Sequence, residues 1–334
     1  MTTGNIRKLG YLIGSDQNDR LVLPNRKERI NVVGATDLHD LRPPDTGDYD
    51  LLHVPKSYFR QPVRYDLKPY RCLLNCVTDA DSNPKVLANL GKLVKGYKGR
   101  ILNRPEAIEK TSRDRVASLL AGIDDLVVPA TARIPRGGTG ALKRLSERGA
   151  LQYPAIVRAA GSHSGEILGL CGDLEQIGRC LSPTSDTIVT QFVDYRSTDG
   201  IFRKFRVFVI GGRLVFRHIV FSEQWNAHVR DREAFLRNHP DMLTEWQSWC
   251  EEELSKFSDR TRRVLERIAE RFGLDFFGID FGLLPDGRVV LFEANATMSF
   301  FPFPSAEHYP FAMKPLAPAQ NAFRTLIDGA ANGH

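Results

Sequence analysis

The sequence predicts an α/β protein of two or three compact units, and three observations carry that prediction. The first hundred residues alternate short apolar runs with breaker clusters and one helical stretch, the pattern of a small α/β unit. Residues 202–221 and 278–295 each read as two strands joined by a tight turn, Gly211-Gly212 in one and Asp286-Gly287 in the other. Between them, 222–272 carries apolar residues at helical spacing, among them Leu254, Val264, Leu265, Ile268, Ala269 and Phe272. At 334 residues the chain is longer than the roughly 250 to 300 that one core usually serves.

Taken in order, strands are expected at Arg29–Val33, Tyr49–Val54, Cys72–Val77 and Arg100–Leu102, with a helix over Asn83–Lys95. Arg104, Pro105 and Glu106 open a further helix, because proline suits a first helical position. Thr111–Ala121 has helical spacing and Asp125–Pro129 is extended; RGGTG at 136–140 is a flexible break before another short helix. PAIVRA and EILGL read as strands around the polar GSHSG turn, whose backbone N–H groups could wrap an anion. TIVTQFVDY at 187–195 is a strand, and Pro318–Ile327 a closing helix. The tryptophans Trp225, Trp246 and Trp249 are expected to pack rather than to cage a ligand, with Trp225, Asn226 and His228 also weighed as acceptor contacts.

Composition narrows the function classes. No stretch nears the roughly 20 apolar residues of a membrane span, and MTTGNIRKLGYLIG lacks a signal peptide's apolar core, so a cytoplasmic location is expected. The five cysteines, Cys72, Cys76, Cys171, Cys180 and Cys250, show no CxxC pair, so neither a disulfide framework nor a zinc site is suggested. The net charge of +6 comes without a basic run of five or more, so an anionic small molecule accounts for it as well as nucleic acid would. No GxGxxG or GxxxxGK[ST] pattern is present.

The chemistry concentrates in GIDFGLLPDGRVVLFEAN, residues 278–295. With Asp286 and Gly287 central in the turn, Asp280 falls directly opposite Glu293, where Cβ atoms stand about 5 Å apart and like charges destabilise the ladder. A cation is the expected neutraliser. Asn295 shares the face of Glu293 by the strand period of two, and the three side chains are hard oxygen ligands suited to Mg²⁺ beside phosphates. The same reasoning about Gly211-Gly212 sets Arg206 opposite Arg217, with Lys204 on the side of Arg206. Facing guanidinium groups call for a phosphate or carboxylate between or beside them.

This order of parts resembles the ATP-grasp superfamily, in its glutathione synthetase and ribosomal-protein glutamate ligase branch, from about Arg100 to Asn295. The N-x-P element is Asn103-Arg104-Pro105, and TSRDR at 111–115 stands for T-x-x-D-K. A still closer likeness is to a poorly characterised ATP-grasp group, some of whose members are fused to tetratricopeptide repeats. It shares R-x-x-GSH-x-G, FVDYRS-x-DG, R-K-[FY]-R and GLD-[FY]-FGID, although no repeat is visible here. The resemblance implies an N-terminal α/β domain over 1–104, a lid subdomain over 105–190 and a C-terminal subdomain over 191–334 with a helical insertion at 222–272. The two α+β subdomains would clamp ATP.

Carried over by position, Arg115 and Arg158 take the places of the two nucleotide lysines. Ser162, His163, Ser164 and Gly165 become the cover over the phosphates, and Gln191, Phe192, Val193 and Asp194 the hinge that reads adenine and ribose. Arg206, with Arg217 or Lys204, would hold the transferred group, and Asp280, Glu293 and Asn295 the Mg²⁺. The implied activity is an ATP-dependent carboxylate–amine ligase with an acyl-phosphate intermediate, acting on amino acids or peptides; thiol or hydroxyl nucleophiles stay open. A small-molecule kinase and a non-catalytic nucleotide sensor are the alternatives. Neither nucleic acid nor membrane is expected as a partner, and a homodimer stays open.

Overall fold

The structure is a computed structural model that describes residues 8–17, 49–62, 64–161, 167–297 and 308–332. Within them the chain builds three β-sheets.

The first sheet is parallel, with strand order β2-β1-β3-β4: β1 (Lys8–Ile13), β2 (Tyr49–His53), β3 (Tyr70–Asn75) and β4 (Arg100–Leu102). Helix α1 (Pro84–Leu93) makes the β3 to β4 crossover that parallel pairing requires. β1 is a strand that the sequence reading passed over, although Leu9, Tyr11, Leu12 and Ile13 are all buried. The strand expected at Arg29–Val33 lies outside the described residues. This sheet reverses its order between β1 and β3, so the carboxyl ends of these two strands open the crevice where such sheets bind ligands.

Helices α2 (Pro105–Ile108) and α3 (Arg113–Leu119) follow, then β5 (Leu126–Val127), β6 (Thr131–Ile134), α4 (Thr139–Glu147), β7 (Ala155–Ala159), β8 (Gly169–Cys171), α5 (Leu174–Arg179) and β9 (Thr187–Gln191). The third sheet, β6-β9-β7-β8, is antiparallel throughout. Within the expected lid span 105–190, this sheet holds β6 to β9, while β5 pairs in parallel with the last strand of the second sheet.

The second, central sheet has order β11-β10-β12-β13-β5, from β10 (Phe202–Ile210), β11 (Arg213–Ser222), β12 (Phe276–Leu283) and β13 (Val289–Asn295). The segment between β11 and β12 is helical as expected, with α6 (Arg232–Asn238), α7 (Asp241–Glu252) and α8 (Asp259–Phe272). The α8 helix shows how sequence sets local structure. Ser258 Oγ accepts from Thr261 N at its start, Gly273 takes a left-handed φ of 64° just past its end, and Val264, Leu265, Ile268 and Phe272 face the core. Trp246 and Trp249 are buried in that core. The closing helix α9 (Leu316–Asn332) inserts Phe323 edge-on to Phe276, in one apolar cluster with β1 and β3, and so joins the first sheet to the second.

Both hairpins contain a bulge that residue counting did not foresee. At Gly211-Gly212 the two positive φ angles, 57° and 76°, fit the expected two-residue turn. Val207 accordingly faces Phe216, but Arg217 is then an extra residue and Arg206 faces His218. The expected Arg206–Arg217 pair is therefore absent. At the other hairpin the turn is longer by one: Leu284 N donates to Arg288 O, Gly287 N donates to Leu284 O, and Gly287 has φ of 84°. Pro285 has the fixed φ of a type I turn and displaces the expected type I′. Phe281 thus faces Leu291, one step out of the expected register, until an extra residue, Phe292, restores it and Asp280 faces Glu293.

All five cysteines are free, four of them buried and Cys180 half-buried. Among the described residues no helix is long and apolar enough to cross a membrane.

Asn103 fastens the first sheet to the second. It is fully buried with φ of 53°; its N–H donates to Asp275 Oδ2 at 2.7 Å, its Nδ2 to Phe276 O at 2.8 Å, and its Oδ1 accepts from Asp275 N at 2.9 Å. Asn103→Ala loses the side-chain bonds and keeps an L residue at positive φ, so a loss of about 3 kcal/mol is expected in urea unfolding. Asn103→Gly, which relieves only the backbone strain, should recover part of it; equal stability of the alanine variant and the wild type would contradict this role.

Candidate functional site

The site grows from a row of charges laid across neighbouring strands. Arg206 on β10 pairs directly with Asp280 on β12, which pairs directly with Glu293 on β13. Asp280 is fully buried, and Arg206 grips it with both arms, Nε to Oδ1 at 2.6 Å and Nη2 to Oδ2 at 2.9 Å. Lys204, two residues earlier on the same face, adds Nζ at 2.7 Å from Oδ2. Burial alone would raise the pKa of this carboxyl; Arg206 and Lys204 outweigh it and hold Asp280 well below the ordinary carboxylate range. Glu293 receives Arg113 Nη2 at 2.5 Å and Asn295 Nδ2 at 2.8 Å, both on Oε1. Asn295 Oδ1 in turn accepts from Thr297 N and Oγ1. The expected opposition of carboxylates is present, and arginine and lysine side chains balance it.

Two cavities meet at this row. The larger lies between the third and second sheets. Its walls include Ile156, Val193, Phe192 and Leu291, and its charged end Arg113, Arg158, Lys204 and Glu293. The smaller is lined by Thr78, Asp79 and Asp81 from the loop after β3, by Thr111 and Ser112, and by Asn295 and Thr297. Arg113, Glu293 and Ala294 belong to both linings, so the Arg113–Glu293 pair is the partition.

Arg158 lines the larger cavity, and its buried Nε has no hydrogen-bond partner among the described residues. Burial first, and the nearby Arg113 second, pull this guanidinium down to about 10, while Glu293 opposes them. A desolvated cation of this kind favours an anion beside it.

Gln191, Phe192 and Val193 line the larger cavity. Asp194 does not; its carboxylate is held by Arg196 at 2.5 Å on the exposed side. Arg115 lines neither cavity and donates to Glu109 O. Arg217 also lines neither, being buried away from them by the bulge at its own position. Ser162, His163, Ser164 and Gly165 lie outside the described residues.

The residue that sequence reasoning missed is Arg113. The sequence signal is the apolar Val116, found buried in the structure: a residue three positions before it on a helix shares its face, whereas Arg115 does not. Trp225 and Asn226 also enter the larger cavity, Trp225 standing edge-on to Phe192 at 5.6 Å. His228 instead accepts from Arg230 N at 3.2 Å.

Asp280, Glu293 and Asn295 were expected to hold Mg²⁺. The donor types suit that hard cation, but both Asp280 oxygens are bonded to Arg206 and Lys204 and Asp280 lines neither cavity, whereas Glu293 and Asn295 border the smaller one. Among the described residues no group of three or more His, Cys, Asp or Glu side chains could hold a metal ion.

No family model matches the sequence. N-acetylaspartylglutamate synthase A from Homo sapiens is 26% identical over 234 residues, covering 68% of this chain and 53% of that protein. The chain spans about half the length of the curated relatives it matches. Among solved structures, the VanG D-Ala:D-Ser ligase from Enterococcus faecalis aligns with a TM-score of 0.55 at 13% identity, over 97% of this chain and 99% of that one. The ATP-grasp ligase PsnB, solved with a minimal precursor, aligns with a TM-score of 0.50 at 12% identity, over 96% and 99%. The chain has the ATP-grasp fold. Within that fold, the charge row lies on the central sheet and the larger cavity between the second and third sheets.

Because the Asp280 carboxyl is depressed in the fold and titrates near 4 when unfolded, its pairing stabilises the protein above that pH. The contribution is lost as pH falls through the lower folded value. Asp280→Asn should therefore cost about 3 kcal/mol at pH 7, since it strands two cations. It should also flatten the dependence of stability on pH between about 4 and 2. Urea midpoints across that range check this, and an unchanged slope in the variant would contradict it.

Proposed function

We propose that the chain is an ATP-dependent carboxylate–amine ligase, using Mg²⁺ and an acyl-phosphate intermediate, with an amino acid or peptide among its substrates. The observation that carries this reading is the partition: half-buried Arg113, bonded to Glu293, stands between the two cavities, and half-buried Arg158 lines the larger one beside it. The larger cavity, with its apolar walls and cationic end, matches the chemistry of a nucleotide base and its phosphates. The smaller opens at the carboxyl end of β3, next to the reversal of strand order in the first sheet, where a second substrate is expected. The names of the relatives and neighbours, which include an N-acetylaspartylglutamate synthase and a D-Ala:D-Ser ligase, agree with joining a carboxylate to an amine or a related nucleophile.

In this scheme Gln191, Phe192 and Val193 hold the base, and Arg158 and Arg113 hold the phosphate chain. Of the trio expected to hold Mg²⁺, Glu293 and Asn295 border the smaller cavity and would supply oxygens to the ion, which when bound neutralises phosphate charge, while Asp280 stays on Arg206 and Lys204. A substrate carboxylate oxygen attacks the γ-phosphorus and the bond to the β-bridging oxygen breaks, releasing ADP. An amine nitrogen then attacks the acyl carbon, loses a proton, and phosphate departs. Such transfers need alignment and charge stabilisation rather than covalent help from the protein. Arg206 and Lys204 serve by fixing Asp280 and by keeping positive charge close to the reacting group.

ADP release, screened over amino acids and peptides with hydroxylamine present, tests the chemistry; trapped hydroxamate identifies both the acyl phosphate and its carboxylate donor. A phosphorylated acceptor without free phosphate would mean a kinase. Arg158→Ala should lower kcat/KM for ATP by about ten- to a hundredfold, the scale of one charged hydrogen bond. Arg115→Ala should leave it nearly unchanged. The reverse ranking would refute this assignment.

A further inference from the structure

Arg133 on β6 joins three stretches of chain that come from different parts of the fold. Its Nη2 stands 2.6 Å from Asp81 Oδ1 and 2.7 Å from Asp114 Oδ1, and its Nη1 stands 3.4 Å from Asp186 Oδ2. Asp81 lies in the loop after β3 of the first sheet and lines the smaller cavity. Asp114 is in the first turn of α3, beside Arg113. Asp186 directly precedes β9 in Arg133's own sheet. The guanidinium is only a quarter exposed, so this is not an ordinary solvent-screened pair. One cation serving three carboxylates also makes the cluster depend on it, because without Arg133 three like charges would face each other. A second contact joins the same bodies: Ser82 Oγ, hydrogen-bonded to Asp79 Oδ2, also lies 3.4 Å from Gly161 O, two residues past the end of β7.

We propose that Arg133 is a positioning residue that couples nucleotide occupancy of the larger cavity to the shape of the smaller one. The proposal rests on the nucleotide reading above. The third sheet contributes Ile156, Arg158 and Gln191 to the larger cavity, so a ligand there fixes that sheet against the second. Arg133 moves with the sheet and carries the same constraint to Asp81 on one side and to the α3 turn bearing Arg113 on the other. The acceptor side of the site is thereby set only when the nucleotide side is filled.

Hydrogen exchange of the full chain, with and without AMPPNP and Mg²⁺, tests this. In the wild type, AMPPNP should slow exchange at β7 and at residues 190–193, and also slow amides 78–82 by about tenfold, although that loop is absent from the larger cavity's lining. Arg133→Gln should keep the slowing at β7 and lose it at 78–82, and Arg133→Lys should restore part of it. Asp186→Asn, which removes only the partner within the same sheet, should behave as the wild type. If Arg133→Gln does not fold, Asp81→Asn gives the same readout. Protection of 78–82 that survives in these variants, or that is missing from the wild type while β7 is protected, overturns the coupling. Absence of protection at β7 in the wild type removes the nucleotide reading and the coupling with it.

Discussion

A carboxylate withdrawn from water has to be neutralised by groups at fixed positions, and Asp280 imposes that requirement on the centre of this protein. Its environment would cost several kcal/mol for an unpaired charge, so β10 must present Arg206 opposite it and Lys204 on the same face. The demand propagates sideways. Glu293 stands opposite Asp280 on the next strand and is balanced from above by α3 through Arg113. Four elements are thus held by one alternation of charge, and the position of α3 over the sheet follows from it.

The same arrangement concentrates positive charge where it is hardest to keep. Arg113 lies close enough to depress the basicity of Arg158, while Glu293 holds Arg113 itself above the usual guanidinium range, and of the two only Arg113 has a carboxylate partner among the described residues. The protein tolerates this pair because Asn103, α9 and the apolar cores fix the surrounding sheets. Local cost offset by global packing is the usual sign of a site arranged for a ligand.

Much of the fold was legible in the sequence, because strand and helix periods and Gly or Pro punctuation act locally. Gly211-Gly212 specified its turn, the spacing of Val264, Leu265, Ile268 and Phe272 marked α8, and Asn103-Arg104-Pro105 marked the passage from β4 to α2. The bulges were not legible, since an extra residue in one strand leaves its apolar pattern nearly intact and is decided by packing across the sheet. At Asp280 this produced a correct pairing from an incorrect turn: Pro285 shifted the register by one and Phe292 shifted it back. Phe292 has a reason to be extra, for its ring meets Tyr195 at 4.5 Å, and Gly282 beneath them leaves no room for a side chain. At Arg206 no second shift followed, so the expected partner, Arg217, was lost.

The choice between Arg113 and Arg115 shows what alignment by motif misses and helical geometry supplies. Matching TSRDR to a lysine-ended motif selects the last residue, but arginine is longer and forked, and the side chain that reaches the site need not start from the same Cα. On α3 the inward face is set by Val116, and Arg113 is the cation that shares it. Its Nη2 rests on Glu293, which fixes the guanidinium before any ligand arrives. Arg158 is held by no such bond at its Nε. Arg113 and Arg158 are therefore unequal: Arg113, bonded to Glu293, divides the cavities, and Arg158 is, in the proposed reading, the group whose charge a phosphate would satisfy.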